Sequence, residues 1–337
     1  MEKLSDLGEF GLINRIKEKT KKYHNQSSLG IGDDAAVIDF GDTFGLLSTD
    51  LLLEGVHFDL TYTPIRHLGY KLVTIGVSDI AAMNGIPKQI TVSIALSNRF
   101  GLADIDELYE GIHLACEDYN VDLVGGDTST SRAGLLLSVS VFGEVDKDKI
   151  AYRVGAKTND ILCATGDLGA AYMGLQVLER EKQEFLANPD MKPAIEDKSL
   201  IIGKQLKPIA RLDIIHELRE NGIVPSTMID ISDGLASDLL QLAKANNMGY
   251  SVFFENVPIE NQTLETCTEF NLNPIASVMH GGDDYELLFT ISQDDFEKAK
   301  KITDISFIGY VTENPDNWLV LNSGEKTKIT SQGWPNG

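Results

Sequence analysis

Strand-like and helix-like apolar segments alternate along this chain, and that alternation restricts its fold more than any other feature. The stretches "AAVIDF", "FGLLSTDLLL", "QITVSIAL", "VDLVGG", "LLLSVSVFGEV", "ILCATG", "STMIDI", "YSVFF", "YELLFTIS" and "ISFIGYV" read as strands. Helical spacing occupies residues 9–19, 64–83, 102–119, 167–182, 208–221, 234–246 and 294–301. Alternation in both halves predicts an α/β or α+β protein. A length of 337 residues is long for one domain and comfortable for two. The charged, turn-rich "DKDKIAYRVGAKTND" places the boundary, predicting domains over 1–148 and 149–337. No apolar run is long enough to cross a bilayer, and "MEKLSDLGEF" lacks the basic start and apolar core of a signal peptide. Cys116, Cys163 and Cys267 are odd in number and have no metal-ligand spacing. Reduced thiols and a cytoplasmic location are therefore expected.

Acids are placed conspicuously. The chain has 51 acidic and 29 basic residues, a formal charge of −22, which argues against nucleic acid or anionic membranes as partners. Six stretches nevertheless repeat one pattern, an apolar run, then Gly or Ser, then Asp, and are expected to form acidic turns. They are "GIGDDAAV" (Asp33, Asp34), "LLSTDLLLEG" (Ser48, Thr49, Asp50), "GVSDIAAM" (Asp79), "LVGGDTSTS" (Asp127), "IDISDGLA" (Asp230, Ser232, Asp233) and "HGGDDYELLF" (Asp283, Asp284). Any one of them is an ordinary helix cap or Gly-Asp turn. Six in one chain suggest a shared purpose. Asp79 falls among apolar residues inside a helical pattern, where a carboxylate is expensive unless a positive charge meets it. Lys71 and Lys88 are nearby candidates, but one metal ion serves several acids at once.

Carboxylates and hydroxyls with few histidines suit Mg²⁺ or Ca²⁺ rather than Zn²⁺ or Cu²⁺. The neighbouring glycines Gly32, Gly125, Gly126, Gly281 and Gly282 let a bulky anion approach backbone N–H groups. Together these features predict a nucleotide–Mg²⁺ site. The P-loop, the protein-kinase motifs and G-x-G-x-x-G before a helix are all missing, so metals must supply most of the charge stabilisation for any phosphoryl transfer.

"GIGDDAAV", "STDLLLEGVHF", "VSDIAAM", "GGDT" and "IDISDGL", in this order, resemble thiamine-monophosphate kinases over nearly the whole chain. The resemblance implies a two-domain fold like that of aminoimidazole ribonucleotide synthetase, with N-terminal sheets pairing across a homodimer. It implies ATP-dependent phosphorylation of thiamine monophosphate to thiamine diphosphate, assisted by several Mg²⁺ ions. By position, Asp34, Thr49, Asp50, Asp79, Asp127 and Asp230 become the Mg²⁺ ligands, with Ser48 and Asp233 as further candidates. Asp79, Asp127 and Asp230 stand closest to the chemistry, and Gly126, Arg153 and Ser232 contact ATP. His57, Trp334 and either Asp283 or Glu286 face the thiamine substrate. Two other readings compete: an ATP-using relative of the purine-synthesis cyclo-ligase type, and a non-catalytic Mg–nucleotide sensor.

Overall fold

The computed structural model describes residues 4–330, and each half of the chain contributes one sheet. The first half runs α1 (Leu4–Lys19), β1 (Ser27–Leu29), β2 (Ala36–Asp39), β3 (Thr43–Leu53), α2 (Ile65–Ala82), β4 (Ile86–Leu96), α3 (Leu102–Tyr119), β5 (Asp122–Thr130) and β6 (Leu136–Asp146). The second runs β7 (Ile161–Thr165), α4 (Ala170–Ala187), α5 (Ser199–Leu206), α6 (Leu212–Glu220), β8 (Thr227–Ile231), α7 (Leu235–Asn246) and β9 (Gly249–Phe253). It continues through α8 (Asn261–Glu269), α9 (Pro274–His280), β10 (Glu286–Ile291), α10 (Phe296–Ala299), β11 (Ile305–Thr312), β12 (Trp318–Val320) and β13 (Lys326–Lys328). The strand orders are β1-β2-β3-β6-β4-β5 and β13-β12-β9-β11-β7-β10-β8. Among the described strands only β4–β5 and β9–β12 pair in parallel, so both sheets are mixed and mainly antiparallel.

Helix α2 organises the molecule. Pro64 precedes its first turn, where a fixed φ and a missing N–H cost nothing. It ends at Ala82, and after Met83 the chain turns away through Asn84, which takes a left-handed conformation (φ 56°), and Gly85, where a Cβ would strike Leu46 and the Ile80 carbonyl. From Leu68 to Ala82 every residue is buried but Asp79, which is half-buried. A helix covered all round must lie between layers. One side of α2 packs on β3 and β6 of the first sheet, and the other meets β8 of the second. The largest apolar core accordingly joins Leu72, Val73, Val139 and Val141 of the first half to Met228, Leu287 and Phe289 of the second. The opposite face of the second sheet buries Leu162, Ile229, Ile231 and Leu288 against α7 and α9. This two-residue alternation across β8 and β10 covers both faces of that sheet.

Several elements depart from the sequence expectations. The acidic stretches are not all turns: Ser48, Thr49 and Asp50 lie within β3, and Asp127 lies within β5. Strand β5 does not stop at Gly126 but continues to Thr130, because the edge of β4 supplies a parallel partner for each residue from Gly125 onward. Helices α5, α8 and α9 and the short strands β1, β12 and β13 carry too little periodic signal to be read locally.

Candidate active site

Three chain segments bring acids to one point. Asp34 comes from the turn before β2, Asp79 from α2 and Asp230 from β8, each offering an oxygen within 4.8 Å of the others. Asp50 joins them from the inner face of β3, beside Asp79, and its Oδ2 is buried without a hydrogen-bond partner. Its position depends on Gly76. A Cβ there would lie 2.6 Å from a Val141 methyl and 3.5 Å from Asp50 Oδ2, so glycine lets α2 settle directly on the sheet. Ser48, on the same face as Asp50, donates its hydroxyl to the Gly76 carbonyl at 3.3 Å. Ser78 donates to Asp230 Oδ2 at 2.7 Å. Arg153 closes the other side: its guanidinium grips Asp34, and its backbone N–H donates to Asp33 at 3.2 Å.

The electrostatics follow from this crowding. Burial, then the charges of Asp50, Asp230 and Asp34, push the Asp79 carboxyl well above its ordinary range. Burial lifts Asp50 to about 6. Burial and the neighbouring Asp34 lift Asp230 to about 7. Asp33 is likewise raised to about 7 by burial and by Asp34. One guanidinium is thus set against several acids. An all-oxygen donor set with a buried, unpartnered carboxylate oxygen fits a hard divalent cation of the Mg²⁺ kind.

Not every expected residue joins this group. Cross-strand register puts Thr49 level with Ser140, and Asp127 level with Ser93 and Ser138. These positions alternate with Asp50 and Val139, so Thr49 and Asp127 belong to the sheet face turned away from α2. The Thr49 hydroxyl donates to the Val139 carbonyl at 3.1 Å. Asp127 is exposed on edge strand β5, three strand spacings from β3, or about 14 Å. Gly126 lies close against β4: a Cβ there would meet the Val92 carbonyl. His57 is exposed in the turn after β3, its Nδ1 accepting the Leu53 N–H at 3.0 Å. Arg153, expected at the nucleotide, pairs with Asp33 and Asp34. Trp334 lies outside the described residues.

Beside the acids, Tyr172, Leu175, Gln205, Ser232, Asp233, Gly281, Gly282 and Asp283 line a cavity of about 210 Å³. Asp283 is therefore the acid of "GGDDYEL" that faces open space. Glu286 is fully buried, its carboxylate accepting from Thr165 (2.7 Å), Lys204 (2.9 Å) and Arg211 (2.6 Å). Asp284 is buried too and accepts the Gly169 N–H at the start of α4. Lys71, considered above as a partner for Asp79, pairs with Asp283 instead at 2.8 Å. Ser78 and Gln205 went unnoticed in the sequence. The available signal for Ser78 was a polar stripe, Lys71-Thr74-Ser78, at helical spacing within an apolar helix.

Glu286→Gln should destabilise the chain by about 1–3 kcal/mol, because Lys204 loses its carboxylate partner and Arg211 keeps only Asp213 and Asp304. Urea unfolding measures it. Unchanged stability with weakened binding of the thiamine substrate would instead place Glu286 at the substrate.

A family model described as "AIR synthase related protein, N-terminal domain" matches residues 32–145. Over 98% of this chain and 99% of its own length, the thiamine-monophosphate kinase of Aquifex aeolicus is 32% identical. The chain belongs to the thiamine-monophosphate kinase family. The Bacillus subtilis thiamine-monophosphate kinase is 31% identical, over 96% of this chain and 97% of its own. The solved structure of AaThiL complexed with AMPPCP and TMP superposes with a TM-score of 0.84 at 30% identity, covering 100% of this chain and 99% of that one. Hydrogenase maturation protein HypE in complex with ATP shares the fold alone, with a TM-score of 0.70 at 16% identity over 96% of this chain and 95% of its own. Among the described residues no helix is long and apolar enough to cross a membrane.

Proposed function

We infer that this chain transfers the γ-phosphoryl group of ATP to thiamine monophosphate, giving thiamine diphosphate. The observation that carries the reading is the convergence of Asp34, Asp79 and Asp230 beside a cavity faced by Ser232, Asp233 and Asp283. Family membership supplies the substrates: the A. aeolicus relative is a thiamine-monophosphate kinase, and AaThiL was solved with AMPPCP and TMP.

Both reactants are polyanions. A phosphate monoester has a second pKa near 6, so the acceptor oxygen is mostly ionised at neutral pH and needs no general base. What the site must supply is alignment and charge compensation. Asp34, Asp50, Asp79 and Asp230 would hold Mg²⁺, with Asp233 a further candidate, and the bound ions would neutralise the phosphate oxygens. Thr49 and Asp127, expected in the same set, are carried by the other face of the first sheet. Ser78 fixes the rotamer of Asp230, and Ser48 anchors β3 to α2 behind Asp50. Arg153 fixes Asp34, and its guanidinium would also meet a phosphate of ATP. Ser232 lines the cavity, and its hydroxyl would donate to a phosphate oxygen. Asp283 faces the thiamine end, and His57, exposed after β3, remains a candidate contact with the same substrate.

In this reading residues 1–148 carry most of the cation ligands and the pairing surface, and residues 149–337 build the cavity. The outer face of the first sheet exposes Leu47 (45%) and Leu51 (49%), which suits pairing with a second copy. Sedimentation at micromolar concentration should give a single species of twice the chain mass; a monomer would exclude the pairing. The function itself is tested by incubating the protein with ATP, Mg²⁺ and thiamine monophosphate and separating the products. Thiamine diphosphate formed in step with ADP is expected. ATP binding without product would favour a nucleotide sensor, and no product with any thiamine phosphate would overturn the reading.

A further inference from the structure

We propose that Lys71 is a positioning residue for substrate selection: it aims the Asp283 carboxylate at the base end of the thiamine substrate, so that α2 spaces both ends of that substrate. This rests on the function inferred above.

Lys71 is 4% exposed, in the middle of α2. Its Nζ donates to Asp283 Oδ2 at 2.8 Å and to the Gln205 carbonyl at 3.3 Å. The same Asp283 oxygen accepts from Gln205 Nε2 at 3.2 Å, while Asp283 Oδ1 accepts from the Tyr285 hydroxyl at 2.8 Å. Three side chains therefore fix the carboxylate, yet it keeps 35% of its side-chain surface open toward the cavity. The backbone is held as firmly. Asp283 and Tyr285 both adopt positive φ, 63° and 52°, which non-glycine residues adopt only under constraint. Hydrogen bonds from Asp283 N to the Ser232 carbonyl and from Tyr285 N to the Ile231 carbonyl, each 2.8 Å, provide that constraint.

A carboxylate partly covered by protein is kept charged by a cation beside it. Lys71 supplies it from the other half of the molecule. An ionised acid at the cavity wall accepts hydrogen bonds from an amino-substituted aromatic base and attracts a ring cation. Tyr172 lines the same cavity, and its ring would serve as a stacking partner for either ring of the substrate. Ser78, which holds Asp230 of the acid cluster, lies seven residues beyond Lys71, about 10 Å along the same helix face. The two polar positions of α2 thus serve the phosphate end and the base end of one elongated molecule.

The test is steady-state kinetics of Lys71→Met, which keeps length and removes charge. The KM for thiamine monophosphate should rise about tenfold, with the KM for ATP changing less than about twofold and kcat little affected. In an Asp283→Asn background the same substitution should change that KM by less than about twofold, because its effect passes through Asp283. Gln205→Leu, which removes a neutral donor to the same oxygen, should raise it about threefold and covers the case in which Lys71→Met fails to fold. Equal rises in both KM values, or effects of Lys71→Met and Asp283→Asn that multiply, would overturn the inference while leaving the kinase reading intact. An unaltered Gln205→Leu would count against it in the same way. A wild-type chain without turnover would overturn both.

Discussion

Asp79→Asn should lower turnover of ATP and thiamine monophosphate by about 10²–10³-fold or more while leaving the melting temperature unchanged or higher. The two halves of this expectation come from the same fact. Asp79 sits against Asp50, Asp230 and Asp34, and burial with that repulsion drives its carboxyl well above the ordinary range. Asparagine keeps the shape and removes the repulsion, so the folded chain loses nothing. It also removes a charged oxygen ligand from the only group of three carboxylates among the described residues spaced to hold a metal. Single-turnover kinetics at saturating Mg²⁺, beside a thermal melt, reads both effects. A variant that is stable and fully active would remove Asp79 from the cation site, and with it the account of how α2 serves the chemistry.

Without divalent cations the protein should lose stability as pH rises, opposite to the usual behaviour of paired carboxylates. Asp50, Asp230 and Asp33 titrate at about 6, about 7 and about 7 in the folded chain, against an ordinary value of 3.8. Over the interval between, the folded chain holds protons that the unfolded chain has released. The stability they represent is fully present below about pH 4 and is lost as pH climbs through 6 to 7. Mg²⁺ competes with those protons, so its binding should strengthen over the same interval and release protons. Melting temperatures in EDTA should therefore fall from about pH 5 to about pH 8, and millimolar Mg²⁺ should cancel most of that fall. A cation effect of equal size at both ends of the range would contradict the clustering. So would an EDTA profile that rises with pH.

Much of this site was legible because burying a carboxylate is costly. Asp79 stood out among apolar residues at helical spacing, and Gly281 and Gly282 beside Asp283 marked close approaches of the backbone. The sequence could not show which face of a sheet a residue takes once strand limits are misplaced. Reading "VDLVGG" as ending at Gly126 left Asp127 in a turn, free to point anywhere. In the structure β5 continues, and the two-residue alternation commits Asp127 to the face opposite Asp50. The partner of Lys71 was hidden for a different reason: Asp283 is 212 residues away. Proximity in sequence suggested Asp79, whereas the packing of α2 against the second half decided otherwise. Glu286 and Asp284 show the converse. An acid next to a glycine pair looks poised for a ligand, yet these two serve an ion network and a helix start.

Because α2 is walled by both sheets, its apolar flanks belong to neither half alone. A fragment cut between the halves would leave Leu72, Val73 and their neighbours against water on one side and strip Met228, Leu287 and Phe289 on the other. The halves are thus poor material for modular exchange: a chimera joined at the linker would have to match helix and sheet across the seam. Evolution of new acceptors in this scaffold is accordingly steered to the cavity rim and its loops, where a side chain can change without unseating the shared helix.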